Sequence, residues 1–175
     1  VFDAGWSTAY YPQDSITHMH QRLHALGMDE VVLQYAAVEV THLYYPSQLD
    51  FLQNTQYKNN ELFPKSIEAA KATGTRVWLG LYYNGDNWYT PPTAEQLDTL
   101  SARNLKVLEE IYALYGSETV VAGVYIPQEI ARYYWDGLRD DATPEMLTKH
   151  FLKPVTEAAQ AKGWKVMAAP FYNQN

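Results

Sequence analysis

Five apolar runs without a polar face alternate along this chain with four segments of helical periodicity, and that alternation constrains the fold more than any other feature. The runs occupy residues 1–6, 30–38, 76–83, 119–129 and 165–171. A strand that is apolar on both faces needs cover on both faces, which a parallel sheet flanked by helices provides. Between the runs, Ile16, Met19, Leu23 and Leu26 recur at helical spacing, with Asp14 or Ser15 as the expected cap and Gly27 as the stop. Pro64 opens a second helix that stops at Gly74, and Thr93 with Gln96 forms a capping box for a third that runs to Gly116. Thr143 and Pro144 start a fourth, which should kink or restart near Pro154 and end at Gly163. No stretch resembles a β-hairpin, so the expectation is a parallel α/β sheet with crossover helices. Residues 39–63 break the rhythm: Tyr44-Tyr45-Pro46, a possible helical turn at 49–52, then a polar segment. An excursion of that length with an aromatic start suggests a functional loop.

With 175 residues, 47% of them hydrophobic, the chain is long enough for one buried core and short for two, so a single domain spanning 1–175 is expected. A net charge of -7 with no Lys/Arg run argues against nucleic acid and against an anionic membrane surface. No apolar stretch reaches the roughly 18 residues needed to span a bilayer. The absence of cysteine removes disulfides and thiolate metal sites. His20 and His24 stand one helical turn apart beside His18, a spacing that suits a metal pair, but no acidic third ligand accompanies them. Surface histidines are the expectation, with no metal and no cofactor; the lack of a glycine-rich phosphate loop removes the nucleotide-binding alternative.

The chain carries 15 tyrosines and five tryptophans. They follow the C-terminal ends of the apolar runs: Trp6, Tyr10 and Tyr11 after the first; Tyr44 and Tyr45 after the second; Tyr82 to Tyr89 along and after the third; Tyr133 to Trp135 after the fourth; Tyr172 after the fifth. Core packing alone has no reason to favour that edge, so the pattern points to an aromatic-lined cleft at the mouth of a (β/α) TIM-type barrel. About five strands are present where a complete barrel has eight in about 250 residues, so a partial barrel is expected, either the first part of a longer one or a self-associating half. Glu129, two residues past the apolar part of the fourth run, is the leading ionisable group at that mouth. Asp86 is its first candidate partner, with Asp136 and then Asp3 behind it, and Arg132 nearby. Trp6, Gln34, Tyr35, Tyr83, Asn84, Trp88, Gln128 and Tyr172 are the candidate substrate contacts, and Asn87 and Asn173 add further amides. Flat rings with amides and a few carboxylates suit a carbohydrate, whose ring faces stack and whose hydroxyls need paired donors and acceptors.

Residues 120–130, Gly5-Trp6, Leu33-Gln34-Tyr35 and Ala169-Pro170-Phe171-Tyr172 together resemble the family filed as domain of unknown function 4434, bacterial TIM-barrel proteins related to glycoside hydrolases. In clan A glycosidases the acid/base Glu ends the fourth strand after an Asn, and Gln128-Glu129 is similar with Gln in that place. The fourth-strand signature of family 18 chitinases matches only at Gly123 and Glu129, with Ala122, Tyr125 and Pro127 where it has aspartates. The resemblance implies a glycoside hydrolase-like protein acting on a bacterial polysaccharide, periplasmic or secreted, with Glu129 as general acid/base. The alternative is a non-catalytic carbohydrate-binding protein on the same scaffold.

Overall fold

The computed structural model describes residues 1–85, 91–131 and 143–171. The chain runs β1 (Phe2–Asp3), a 3-10 turn (Thr8–Tyr10), α1 (Gln13–Ala25), β2 (Glu30–Leu33), β3 (Ala37–Val38), β4 (His42–Leu43), a second 3-10 turn (Asp50–Leu52) and β5 (Tyr57–Lys58). It continues through α2 (Leu62–Thr73), β6 (Arg76–Gly80), β7 (Tyr82–Tyr83), α3 (Ala94–Tyr115), β8 (Val121–Ala131), α4 (Pro144–Leu147), a π-helical segment (Thr148–Leu152), α5 (Lys153–Ala161) and β9 (Lys165–Phe171). A five-stranded sheet has the order β1-β2-β6-β8-β9 with every neighbouring pair parallel, as the alternation of strand and helix requires. No helix among the described residues is long and apolar enough to cross a membrane.

Both faces of this sheet are covered, but by different clusters. Val31, Leu33, Val77, Leu79, Val124 and Ile126 pack with α1, α2 and α3 in the main core, where Ile16, Ile67, Leu108 and Ile111 are buried. The alternate residues Val32, Trp78 and Tyr125 form a separate small cluster on the opposite face, with the Phe2 ring 5.4 Å from that of Tyr125. This two-residue alternation is the strand period written in side chains.

The expected runs 30–38 and 76–83 are each divided. At Gly80 a Cβ would stand 2.2 Å from the carbonyl oxygen of Gln34, so only glycine allows the two backbones to approach where both strands leave the sheet. Their continuations, β3 and β7, pair parallel in a second, four-stranded sheet of order β5-β4-β3-β7. β3 and β4 are antiparallel, so a hairpin joins the end of the 30–38 run to the start of the 39–63 excursion, contrary to the sequence expectation. The expectation failed because strands of two residues are too short to show a period.

Tyr44 and Tyr45, expected in the cleft, are instead core residues. The Tyr45 hydroxyl donates to Glu110 Oε2 (2.7 Å), joined there by Ser47 Oγ (2.6 Å), while the Gln48 amide donates to Oε1 (2.6 Å). One carboxylate on α3 therefore anchors the start of the excursion. Glu110→Ala should cost about 1–3 kcal/mol, because it strands the buried Tyr45 and Ser47 hydroxyls. Urea denaturation together with faster proteolysis within 47–58 is the check.

Helix signals fared unevenly. The Thr93–Gln96 capping box and the Thr143 cap are present. Helix α1, however, begins at Gln13 after Pro12 with no side-chain cap, so neither Asp14 nor Ser15 serves. The disturbance foreseen at Pro154 takes the form of the π-helical segment just before it: a proline without an N–H, whose ring crowds the preceding turn, is relieved by a wider turn.

His20 is fully buried rather than on the surface, with Nδ1 2.8 Å from Thr75 Oγ1 and Nε2 without a partner. Burial lowers its pKa, outweighing a raising effect from Asp3. The unfolded chain therefore takes up this proton first as pH falls, so stability should decline on acidification below the ordinary histidine value of about 6.5. A lower urea midpoint at pH 5.5 than at 7.5, flattened in His20→Gln, is the expected result. His24, exposed, pairs with Asp29 (2.6 Å), and among the described residues no group of His, Cys, Asp and Glu is placed to share a metal ion.

Candidate active site

β8 does not stop at Pro127 but continues to Ala131 around an irregularity. Ile126 pairs with Ala168 and Ile130 with Pro170, so four steps on β8 face two on β9. Pro127 cannot donate to the ladder, and the bulge absorbs Pro127, Gln128 and Glu129. Bulges re-aim side chains, and here the re-aimed side chains are the two polar candidates. Gln128 is buried and Glu129 half-buried, and Gln128 Oε1 and Glu129 Oε2 are both shielded from solvent without a hydrogen-bond partner among the described residues. Burial raises the Glu129 pKa, because a desolvated carboxyl favours its neutral form.

Three phenols lie within electrostatic range of that carboxyl, from the end of β2, from β7 and from within β8. Tyr35 follows β2, and its phenol is pushed up to about 12, first by burial and then by Tyr83, Glu129 and Tyr125. Tyr83 is raised by burial, then by Glu129 and Glu39. Tyr125 is raised by burial and by Glu129, against the opposing effect of a hydrogen bond with Gln34. The Tyr35 and Tyr83 rings sit 5.4 Å apart. The structure thus brings together Glu129, Gln34, Tyr35 and Tyr83 from the sequence-based set, with Gln128 next in the chain. Asn84 directly follows β7. Trp6 projects from the loop after β1 and packs edge-on against His42 at 5.0 Å. Asp86, Trp88 and Tyr172 lie outside the described residues, as do Asn87, Arg132, residues 133–135, Asp136 and Asn173.

Asp3 Oδ1 accepts from the Gly5 amide (2.9 Å) and the Thr8 hydroxyl (2.7 Å) of its own turn, while Oδ2 is shielded from solvent without a partner among the described residues. A carboxylate that sequence reasoning missed is better placed. Glu39 follows β3 with a left-handed φ of 48°, a rare conformation for a residue with a side chain. Its amide donates to the Tyr83 carbonyl (2.9 Å), and its Oε1 accepts from the Gly85 amide (2.7 Å). Glu39 and Glu129 both act on the Tyr83 phenol. Nothing in the local sequence signals this, since it depends on the pairing of β3 with β7, residues remote in the chain. A surface groove of about 580 Å³, lined by Leu49, Leu105, Lys106, Glu109, Glu110 and Ala113, holds none of these groups.

Comparison with solved structures assigns the fold. A "putative alpha-L-fucosidase" from Bacteroides thetaiotaomicron superposes with a TM-score of 0.73 at 19% identity, covering 97% of this chain and 50% of that one. The endocellulase of Pyrococcus horikoshii, in complex with cellotetraose, gives 0.52 at 16% identity over 95% of this chain and 48% of the other. The catalytic domain of the major endoglucanase from Xanthomonas campestris gives 0.51 at 16% identity, with 96% and 50% covered. The chain spans about half the length of these proteins and shares their fold over that half, so its five parallel strands are a partial (β/α) barrel. No curated protein matches it. Residues 13–175 match the family described as Domain of unknown function (DUF4434), and the chain belongs to that family.

Proposed function

We propose that this chain forms the half of a glycoside hydrolase-like barrel that supplies the proton donor, with Glu129 in that role and a neutral bacterial polysaccharide as substrate. The observation that supports this is the Glu129 carboxyl itself: one oxygen shielded and unpartnered, pKa raised by burial, on a bulge at the C-terminal mouth of a parallel sheet and ringed by Tyr35, Tyr83 and Tyr125. A carboxyl group kept neutral can give its proton to the glycosidic oxygen as the bond to the anomeric carbon breaks. Cleavage also needs a second carboxylate, as nucleophile or as the base that activates water. Glu39 is the described candidate, and Asp86 is the one that sequence spacing suggests. Tyr35, Tyr83, Gln34 and Gln128 would stack on the sugar and bond its hydroxyls, with Trp6, Asn84, Trp88 and Tyr172 as outer contacts. No cofactor enters this chemistry. A single domain over 1–175, secreted or periplasmic, belongs to the same reading, with the edges at β1 and β9 covered by further barrel strands or by self-association.

One observation favours a second reading. Glu39 is already engaged by the Gly85 amide, so the site could bind a glycan without cleaving it. Release of reducing ends from a panel of neutral polysaccharides separates the two. Release that disappears in Glu129→Gln supports hydrolysis, retention of polymer without release supports the binding protein, and neither release nor retention rejects both.

A further inference from the structure

Trp6 and Tyr57 leave about half their surface in water, 57% and 48% respectively, and both pack against His42. Tyr57 lies on β5, where its amide donates to the Thr41 carbonyl (2.7 Å), and β5 pairs with β4 so that Tyr57 stands opposite His42. The imidazole of His42 stacks on Tyr57 at 5.1 Å and on Tyr44 at 5.9 Å, and takes Trp6 edge-on at 5.0 Å. The loop that carries Trp6 is tied down at two points: Asp3 holds the Gly5 amide and the Thr8 hydroxyl, and the Asn59 side-chain amide donates to the Ala9 carbonyl. Exposed, adjacent rings on anchored segments are an apolar patch that folding alone does not explain. The edges of the patch are polar: the Tyr57 hydroxyl meets Gln56 Nε2 (3.0 Å), and His42 Nδ1 meets Thr41 Oγ1 (3.2 Å). Flat apolar faces with hydrogen-bonding rims match sugars better than they match aliphatic side chains.

The patch lies at the same edge of the sheet as the Glu129 site, since Trp6 follows β1 and Tyr35 follows β2, its parallel neighbour. Tyr44, buried behind His42, has its phenol within electrostatic range of Tyr35, whose ring packs on Tyr83. We propose that Trp6, His42 and Tyr57 form a glycan-binding shelf remote from the reacting bond, which holds further sugar units of a chain whose other end occupies the Glu129 site. This rests on the carbohydrate reading above and narrows it: the preferred ligand is a neutral oligosaccharide or polysaccharide rather than a single sugar. The net charge of -7 and the absence of an Arg or Lys among the shelf rings select against anionic glycans.

The test uses the full-length protein in affinity electrophoresis through gels containing a soluble β-glucan, xyloglucan or a fucosylated polysaccharide, then calorimetry with oligosaccharides of increasing length. Trp6→Ala and Tyr57→Ala should weaken binding of the longest ligands by about tenfold, with a loss that grows with chain length. Trp6→Phe and Tyr57→Phe should keep most of the affinity, and Tyr83→Ala should weaken long and short ligands alike. Tyr57→Leu, which keeps apolar volume without a flat ring, replaces the alanine variant if that one unfolds. A loss independent of length, or no loss, overturns the shelf and leaves the carbohydrate reading standing. Failure of every polymer to retain the wild-type protein overturns both. Dissociation of a dimer in light scattering by Trp6→Ala, with glycan retention unchanged, overturns the shelf in favour of a contact between copies.

Discussion

Glu129→Gln is expected to lower glycan hydrolysis by about 10²–10⁴-fold, the usual contribution of a general acid, while the melting temperature stays level or rises slightly. The stability half of this expectation follows from the sign of the pKa shift. Burial raises the folded-state pKa of Glu129, so whatever stability this carboxyl contributes is present below its unfolded value and is lost as pH rises through the folded one. Above that folded-state value the ionised group is a cost to the fold, and a neutral amide of the same shape removes that cost. A coincident fall in activity and melting temperature would instead assign Glu129 a structural role. The same shift predicts that activity falls on the alkaline side as the donor loses its proton, at a pH above the ordinary carboxylate range. That limb should vanish from the residual activity of Glu129→Gln.

The second large effect is structural. Phe63→Ala should cost about 3–5 kcal/mol, measured as a shift in the urea midpoint, with Phe63→Leu recovering a good part of it. Phe63 is fully buried where α2 meets the excursion. Its ring stacks on Tyr45 at 5.8 Å and lies 6.3 Å from Tyr115, and its amide donates to the Tyr44 carbonyl (3.1 Å). Truncation opens a cavity bordered by α2, α3 and the segment that carries Tyr44. The second sheet and the His42–Tyr57 stack should loosen with it, so hydrogen exchange at residues 42–58 should speed up more than exchange in β6.

Much of this architecture was legible because it is written in local periodicity. The unbroken apolar runs at Val31-Val32-Leu33 and Val77-Trp78-Leu79 and the helical spacing from Leu97 to Tyr115 are each a pattern within one element. A chain that repeats strand and helix in this way has few topologies open to it, which is why the parallel sheet could be read in advance. The aromatic crowding after strand ends took in Tyr83, whose ring the fold sets 5.4 Å from that of Tyr35. It pointed wrongly to Tyr44 and Tyr45, since an aromatic ring has the same composition in a core as in a cleft.

By itself, then, the sequence determined the order and type of the main elements, the parallel sheet, and the placement of Gln128-Glu129 near the exit of its fourth strand. Only the tertiary structure decided that Glu39 faces the same phenol as Glu129, that a bulge re-aims Glu129, that His20 is buried, and that His42 and Tyr57 join Trp6 in one exposed stack. The physical reason is range. A helical or strand repeat is a property of neighbours in the chain, whereas each of these features comes from pairing between segments separated by a helix, a strand or an excursion, and no local pattern encodes which segments will meet.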